Sequence, residues 1–265
     1  MSNIINIATK AAYNAANIIQ QASRNRSKIK IEKKSGINNY VTEIDKHSEL
    51  VIIDTIKKSF PHHNILAEEI GYDNQQSECT WIIDPIDGTT NFIHGHPQYS
   101  ISIGFMEGNK ITHGIILDPN RNDLYKAESG KGAYLNDTRI RVSNTSTLEN
   151  ALLATGFPTY DMSILDTYLA IFKEMLQKTS GQRRSGSAAL DLAYVAAGYV
   201  DGFWEFNLKQ WDIAAGYILV KEAGGMITNF ENNDNLFKNI NTSVIAGNPK
   251  IITEIIKIVN CYLKK

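Results

Sequence analysis

Trp81-Ile-Ile-Asp-Pro-Ile-Asp-Gly-Thr-Thr-Asn-Phe92 is the stretch on which the fold turns. Ile82 and Ile83 are β-formers that lead a buried strand into a carboxylate, Asp84. Pro85 biases Asp84 away from the helical region, so the strand is expected to stop there. Three residues on stands a second carboxylate, Asp87, followed by Gly88, Thr89 and Thr90. Gly88 has no Cβ and lets another group approach the backbone. A helix starting near Thr89 would present free amides, an anion site, beside both acids. Acids facing a positive backbone pole suggest a metal bridging them to a phosphate. Taken alone, the stretch reads equally well as a hairpin turn, since Asp-Gly between apolar runs is a turn signal.

A third reading is an aspartate nucleophile of the haloacid dehalogenase type, whose pattern is Asp-x-Asp-Gly-Thr. The spacing here is Asp-x-x-Asp, one residue longer, which would misplace the second carboxylate. The rest of the chain has to decide.

Composition narrows the class. The chain has 265 residues, 43% hydrophobic and 21% charged, an ordinary soluble globular balance with room for one large unit or two packed lobes. A net charge of -1 gives no general reason to bind nucleic acid or membrane. The local exception is Arg24, Arg26, Lys28, Lys30, Lys33 and Lys34, read first as a solvated helix end and strand and otherwise as a polyanion patch. Cys79 and Cys261 lie far apart and suggest neither disulfide nor metal spacing. No run approaches the roughly 20 apolar residues that span a bilayer, and no signal peptide is legible, so a cytoplasmic protein is expected.

Outward from the opening stretch, residues 3–22 carry apolar groups at helical spacing. Lys28 to Glu32 reads as a short strand, and Val41-Thr-Glu-Ile-Asp45 opens a helix running to about Phe60. His62 and His63 read as solvent-facing turn residues. Ile65-Leu66-Ala67 is a strand ending in Glu68 and Glu69. Residues 100–143 alternate with period two between turn signals, an antiparallel meander. The polar run Ser143–Thr147 suggests a boundary, giving an N-terminal α+β lobe over 1–145 and a C-terminal α/β lobe over 146–265 within one catalytic unit. In the second lobe a helix carries Leu165, Leu169, Phe172 and Leu176 on one stripe, another begins near Ser187, and a strand carries Glu205. Asp212 sits in the first turn of the next helix, where it could be only a cap. Trp81, Trp204 and Trp211 read as core aromatics.

Three stations share one grammar of element end, carboxylate and small residues: Ala67-Glu-Glu-Ile-Gly71, Asp84-Pro-Ile-Asp-Gly-Thr89 and Trp211-Asp-Ile-Ala-Ala-Gly216. With Leu117-Asp-Pro-Asn-Arg-Asn-Asp-Leu124 and Gly186-Ser-Ala-Ala-Leu-Asp-Leu-Ala-Tyr-Val-Ala-Ala-Gly198, the whole chain resembles the bacterial branch of the inositol monophosphatase family, lithium-sensitive and magnesium-dependent. The resemblance implies a layered αβαβα fold, with an antiparallel sheet under paired helices in the first half and a second sheet between helices in the second. It implies two to three Mg²⁺ ions held by Glu68, Asp84, the carbonyl of Ile86, Asp87 and Asp212. Asp45 and Thr89 would orient and deprotonate water, and the amides of Gly88 and Thr89 would receive phosphate. Gly186, Ser187, Ala188 and Glu205 match positions that contact the alcohol, and Lys34 matches a lysine near the metal waters. The implied activity is hydrolysis of myo-inositol monophosphate, with fructose 1,6-bisphosphate or another small sugar or nucleotide phosphate as the alternative, by a homodimer. A regulatory or RNA- or protein-binding role is the alternative from another class. Gln210 departs from the proline that bacterial relatives often carry there.

Physics points the same way. Carboxylates about 4 to 5 Å apart repel by about 4 kcal/mol per pair at a surface-like dielectric, so such a cluster needs cations. An all-oxygen donor set suits Mg²⁺ over Zn²⁺. Two such ions would activate water and stabilise the leaving oxygen without a phosphoenzyme.

Overall fold

The computed structural model describes residues 2–33, 40–159, 161–239 and 241–263. The first half comprises α1 (Asn3–Ser23), β1 (Ile31–Lys33), β2 (Tyr40–Thr42), α2 (Glu43–Lys57), β3 (Asn64–Ala67), β4 (Gly71–Asp73), β5 (Cys79–Asp87), α3 (Thr89–His94), β6 (Ser100–Glu107), β7 (Lys110–Asp118), β8 (Asp123–Glu128), β9 (Gly132–Leu135) and β10 (Thr138–Ile140). The second comprises β11 (Leu152–Thr155), α4 (Leu165–Lys178), β12 (Gly181–Arg183), α5 (Ala188–Ala196), β13 (Gly202–Lys209), α6 (Gln210–Glu222), β14 (Met226–Asn229), β15 (Asn241–Gly247) and α7 (Pro249–Leu263).

Strands β3 to β10 form an eight-stranded sheet ordered β10-β9-β8-β7-β6-β5-β3-β4, and β11 to β15 form a five-stranded sheet ordered β12-β11-β13-β15-β14. Five layers follow from the packing. Helices α1 and α2 cover the outer face of the large sheet, α5 and α6 fill the space between the sheets, and α4 and α7 close the far face. This is the αβαβα arrangement expected from the sequence.

Helix α1 is made for close approach: Ser2 caps it, and Ala8, Ala11, Ala12 and Ala15 face inward with Ile5 and Ile19. The side chains of β5 are buried on both faces, with Trp81, Ile82 and Ile83 fully enclosed. Each such isoleucine contributes about 1.5–3 kcal/mol by leaving water, so this strand is fixed before any chemistry is asked of it. Helix α6 reaches the large sheet at two glycines. A Cβ on Gly104 would lie 2.6 Å from the Cβ of Ala214, and one on Gly114 would lie 2.8 Å from the Cα of Ala215.

One pairing departs from the antiparallel run and places the site. Strand β3 runs parallel to β5, with Ala67 opposite Ile83, and the amide of Glu68 donates to the carbonyl of Ile83 at 3.2 Å. Parallel neighbours finish at the same edge of a sheet, so Glu68 and Asp84 emerge side by side.

Several local expectations are corrected. Strand β5 does not stop at Asp84. Its ladder with β6 breaks there and resumes at Asp87, opposite Ser100, so the Asp84–Asp87 segment is an irregularity within one strand. Proline removes a ladder donor, and a break of this kind tolerates that loss. Residues Arg26–Lys28 form a 3₁₀ turn and the strand follows at Ile31–Lys33. Helix α2 ends at Lys57 rather than near Phe60. The buried stripe of α4 is Tyr168, Ile171 and Met175, while Leu169 and Leu176 are about half exposed, because α4 carries two apolar stripes and only one meets the sheet. His63 is not a free turn residue: its ring stacks on Phe60 and its Nδ1 accepts from Nε1 of Trp81 at 3.1 Å.

Candidate active site

The site is a cleft of about 510 Å³ where the edge of β5, the start of α3, the turn before α5 and the start of α6 meet. Among its walls are Glu68, Asp84, Ile86, Asp87, Gly88, Thr89, Gly186, Ser187, Ala188, Glu205 and Asp212. The structure therefore brings together nearly every residue singled out from the sequence. Asp45 lies just behind the wall, bonded to Thr89. Lys34 lies outside the described residues.

Asp84 and Asp87 are placed by the break in β5. Oδ1 of Asp84 accepts the amide of Ile86 at 3.0 Å, which fixes the carboxylate against its own turn. Asp87 is fixed from the start of α5: its Oδ2 accepts the Ser187 hydroxyl at 2.5 Å and the Ala189 amide at 2.8 Å. Oδ2 of Asp212 accepts the amide of Lys209 at 2.7 Å. Asp212 is thus a helix cap as well as a cleft residue. Oδ2 of Asp84 and Oδ1 of Asp212 accept no hydrogen bond from a described residue.

The electrostatics follow. Burial, then Glu68, Asp87, Asp212 and Asp45, push the Asp84 carboxyl well above the ordinary range. Burial pushes Asp87 up to about 6 against the hydrogen bonds from Ser187 and the α5 amides. Burial and then Asp87 raise Asp212 well above its usual value, with Glu68 and Glu205 adding to it. Asp212 and Glu205 keep part of their surface open to the cleft, so water moderates these shifts.

Asp45 occupies the third position of α2, where Thr42 and Asp45 form a reciprocal capping box. Its Oδ2 accepts the Thr42 amide at 2.8 Å and the Thr42 hydroxyl at 2.5 Å. Its Oδ1 is 2.9 Å from the hydroxyl of Thr89, which also lies 3.1 Å from the carbonyl of Ile86. A threonine hydroxyl has one proton for these two acceptors, so it is poised to exchange one partner for the other. Burial raises the Asp45 carboxyl, and the Thr42 and Thr89 bonds oppose that rise.

Gly88 caps α3 with φ at +101°, and a Cβ there would lie 3.0 Å from the Gln98 carbonyl and 3.1 Å from that of Gly186. Only glycine closes this turn against its neighbours. Glu205 packs on bare backbone at Gly156, where a Cβ would stand 1.9 Å from Oε1. Trp211 departs from the expected core role, being only half-buried and part of the cleft wall. Ser187 is 1% exposed and turns its hydroxyl onto Asp87, which favours a bracing role over contact with the alcohol.

Four residues are not singled out by the sequence reading. Glu49 accepts the amides of Glu69 and Ile70 at 2.9 and 2.8 Å and holds the turn that carries Glu68. Its signal was present: Asp45, Glu49, Ile52 and Ile56 share one buried face of α2. Asn91 donates its amide to the carbonyls of Gln98 at 2.6 Å and Ser185 at 2.9 Å, tying α3 to the turn before α5. Asp191 is buried in α5 with Oδ1 unpartnered, and burial raises its carboxyl well above the ordinary range. Arg184 stands at the cleft rim over the ring of Phe157.

The donor set suits Mg²⁺. It is all oxygen, its buried acids raise one another, and such a group is relieved by a hard cation. The acids line the cleft without converging: among the described residues, no three His, Cys, Asp or Glu side chains gather in metal-ligating geometry.

Known proteins match this architecture along its full length. The Bartonella henselae extragenic suppressor protein suhB superposes with a TM-score of 0.93 at 38% identity, covering 97% of this chain and 98% of that one. The inositol monophosphatase from Anabaena (Nostoc) gives a TM-score of 0.86 at 39% identity, covering 98% and 96%. The Nus factor SuhB of Escherichia coli K12 is 42% identical over 253 residues, covering 95% of this chain and 94% of that protein. The model of the inositol monophosphatase family matches residues 1–264. With that match joined to the shared fold, the chain belongs to the inositol monophosphatase family.

Proposed function

We propose that the chain is a magnesium-dependent phosphatase of small phosphorylated polyols, with myo-inositol monophosphate as the leading substrate and water as the nucleophile. The observation that carries this reading is the Asp45–Thr89 pair, at 2.9 Å, at the free end of α3 and beside three raised carboxylates.

In this reading the amides of Gly88 and Thr89 bind the phosphate. The Thr89 hydroxyl orients water toward phosphorus and passes its proton to Asp45, whose raised basicity suits it as acceptor. The bond from water oxygen to phosphorus forms as the bond to the alcohol oxygen breaks, and the alcohol oxygen takes a proton from solvent water as it leaves. Magnesium, two to three ions held by Glu68, Asp84, Asp87, Asp212 and the Ile86 carbonyl, would supply activation of water and neutralisation of charge. Glu205 and the Gly186–Ala188 backbone would face the alcohol.

The test is phosphate release from inositol 1-phosphate and fructose 1,6-bisphosphate with Mg²⁺, for wild type, Asp212→Asn and Glu68→Gln. Both variants are expected to fold and to lose most release. Full activity in Asp212→Asn would leave that residue a helix cap alone and sink the reading. Preference for fructose 1,6-bisphosphate would select the alternative substrate. Lithium inhibition is expected as well.

A second reading follows from the relatives named Nus factor SuhB. In it the chain has a regulatory role beside catalysis, through exposed Arg24, Arg26, Lys30 and Lys33. RNA and protein association measured at moderate and high salt tests it, and binding that is absent or indifferent to salt removes the polyanion version.

A further inference from the structure

We infer that Arg184 forms a second anion subsite at the cleft rim, for a phosphate or carboxylate carried by the same polyol as the scissile phosphate. The inference rests on the phosphatase reading above and adds a substrate class to it.

Arg184 and Lys209 are the cations lining the cleft among the described residues. Lys209 directs its ammonium to Oδ1 of Asn241 at 2.6 Å. Arg184 is exposed, and no described carboxylate lies within ion-pair distance of it. It is nevertheless held: its Cζ lies 4.6 Å from the centre of the Phe157 ring. A guanidinium on an aromatic face keeps its in-plane N–H groups free and loses little freedom on binding. Its Nη1 would lie 2.6 Å from a Cβ on Gly186, and a Cβ on Gly88 would lie 3.1 Å from the Gly186 carbonyl. The guanidinium therefore lies against Gly186, whose carbonyl in turn abuts Gly88.

Charge decides what this geometry is for. The cleft interior is acidic, lined by Glu68, Asp84, Asp87, Glu205 and Asp212. A neutral polyol entering there gains nothing from a cation at the rim beyond the partial relief that the Arg184 charge gives Glu205, Asp191 and Asp87. A polyol with a second anion would be repelled unless a fixed positive group met it, and a planar fork matches phosphate or carboxylate in two parallel bonds.

The test compares kcat/KM for inositol 1-phosphate, fructose 1,6-bisphosphate and 3-phosphoglycerate, in wild type, Arg184→Ala and Arg184→Lys, at low and moderate salt. Arg184→Ala is expected to lower the ratio of doubly anionic to singly phosphorylated substrate about fivefold to tenfold, mostly through KM, with Arg184→Lys between. The bisphosphate and phosphoglycerate arms show which second anion fits better, and the wild-type preference is expected to weaken with salt. An unchanged ratio overturns the subsite. So does an equal loss on every substrate, which would make Arg184 a general counterion of the acids. Calorimetric binding of mono- and bisphosphonate analogues reads the same ratio without turnover. A chain that hydrolyses nothing but shows an Arg184-dependent ratio would overturn the phosphatase reading and leave the subsite standing.

Discussion

The Ser187 hydroxyl reaches Asp87 at 2.5 Å across 100 residues of sequence, and it joins the end of β5 to the start of α5. The same hydroxyl accepts the Leu190 amide at 3.3 Å, capping its own helix. One side chain thus braces a cleft carboxylate and starts a helix.

Ser187→Ala removes both bonds. A hydrogen bond to a charged group and a cap together predict a loss of about 2 kcal/mol in denaturant unfolding. Weaker Mg²⁺ binding by calorimetry is also expected, with Ser187→Thr restoring much of both. Wild-type stability in the alanine variant would show that the brace contributes nothing.

Asp212→Asn separates stability from activity. Asparagine keeps an acceptor for the Lys209 amide and removes a charge that Asp87 and Glu68 oppose. The metal-free variant is expected to melt at the wild-type temperature or a few degrees higher, yet release little phosphate. A lower melting temperature would mean that the negative charge itself supports α6.

One pH dependence comes from a buried cleft acid. Asp87 has its folded value pushed up to about 6 from 3.8, so the folded metal-free chain binds more protons than the unfolded chain between those values. Its contribution to stability is therefore present at low pH and declines as pH rises through that window. Added Mg²⁺ should raise the melting temperature more at pH 7.5 than at pH 5. An equal rise at both would contradict the assignment of these acids to a cation.

His63 sets the opposite slope. Its Nδ1 accepts from Trp81, which requires the neutral ring, and burial followed by Lys57 lowers its value from 6.5. The unfolded chain gains a proton first on acidification, so this contribution is complete above about 6.5 and is lost as pH falls. His63→Phe should flatten the stability profile on the acid side, followed by tryptophan fluorescence. An unchanged slope would place the acid sensitivity elsewhere.

The family resemblance implies a homodimer, and we propose the outer stripe of α4 as the face that would carry it. Leu169→Lys with Leu176→Lys should yield a monomer of unchanged fold by sedimentation, since both leucines are about half exposed. A dimer of wild-type affinity would exclude this stripe.

What the sequence disclosed and withheld divides along chain distance. Asp84, Asp87, Gly88 and the start of α3 lie within one short stretch, and local rules for strands, glycine and free amides suffice to read them. Local rules show Glu68 only as an acid at a strand end; its neighbour Asp84 comes from the family resemblance alone, because it is the parallel pairing of β3 with β5 that brings the two together. Glu49 and Asn91 escaped notice since each serves a backbone turn far along the chain. The stripe of α4 was misassigned for another reason. Leu165, Leu169, Phe172 and Leu176 have the right period, and so do Tyr168, Ile171 and Met175. Periodicity alone does not say which face meets the sheet.

The contact of α6 with the large sheet has one more consequence. Asp212 stands on α6 and Asp84 on β5, and helix and sheet approach where no side chain intervenes, at Gly104 and Gly114. A single methyl group at Gly104 would act as a shim under the helix, tilting its first turn away from β5. The spacing between two cleft carboxylates is thus held by two missing carbon atoms on the face of the sheet.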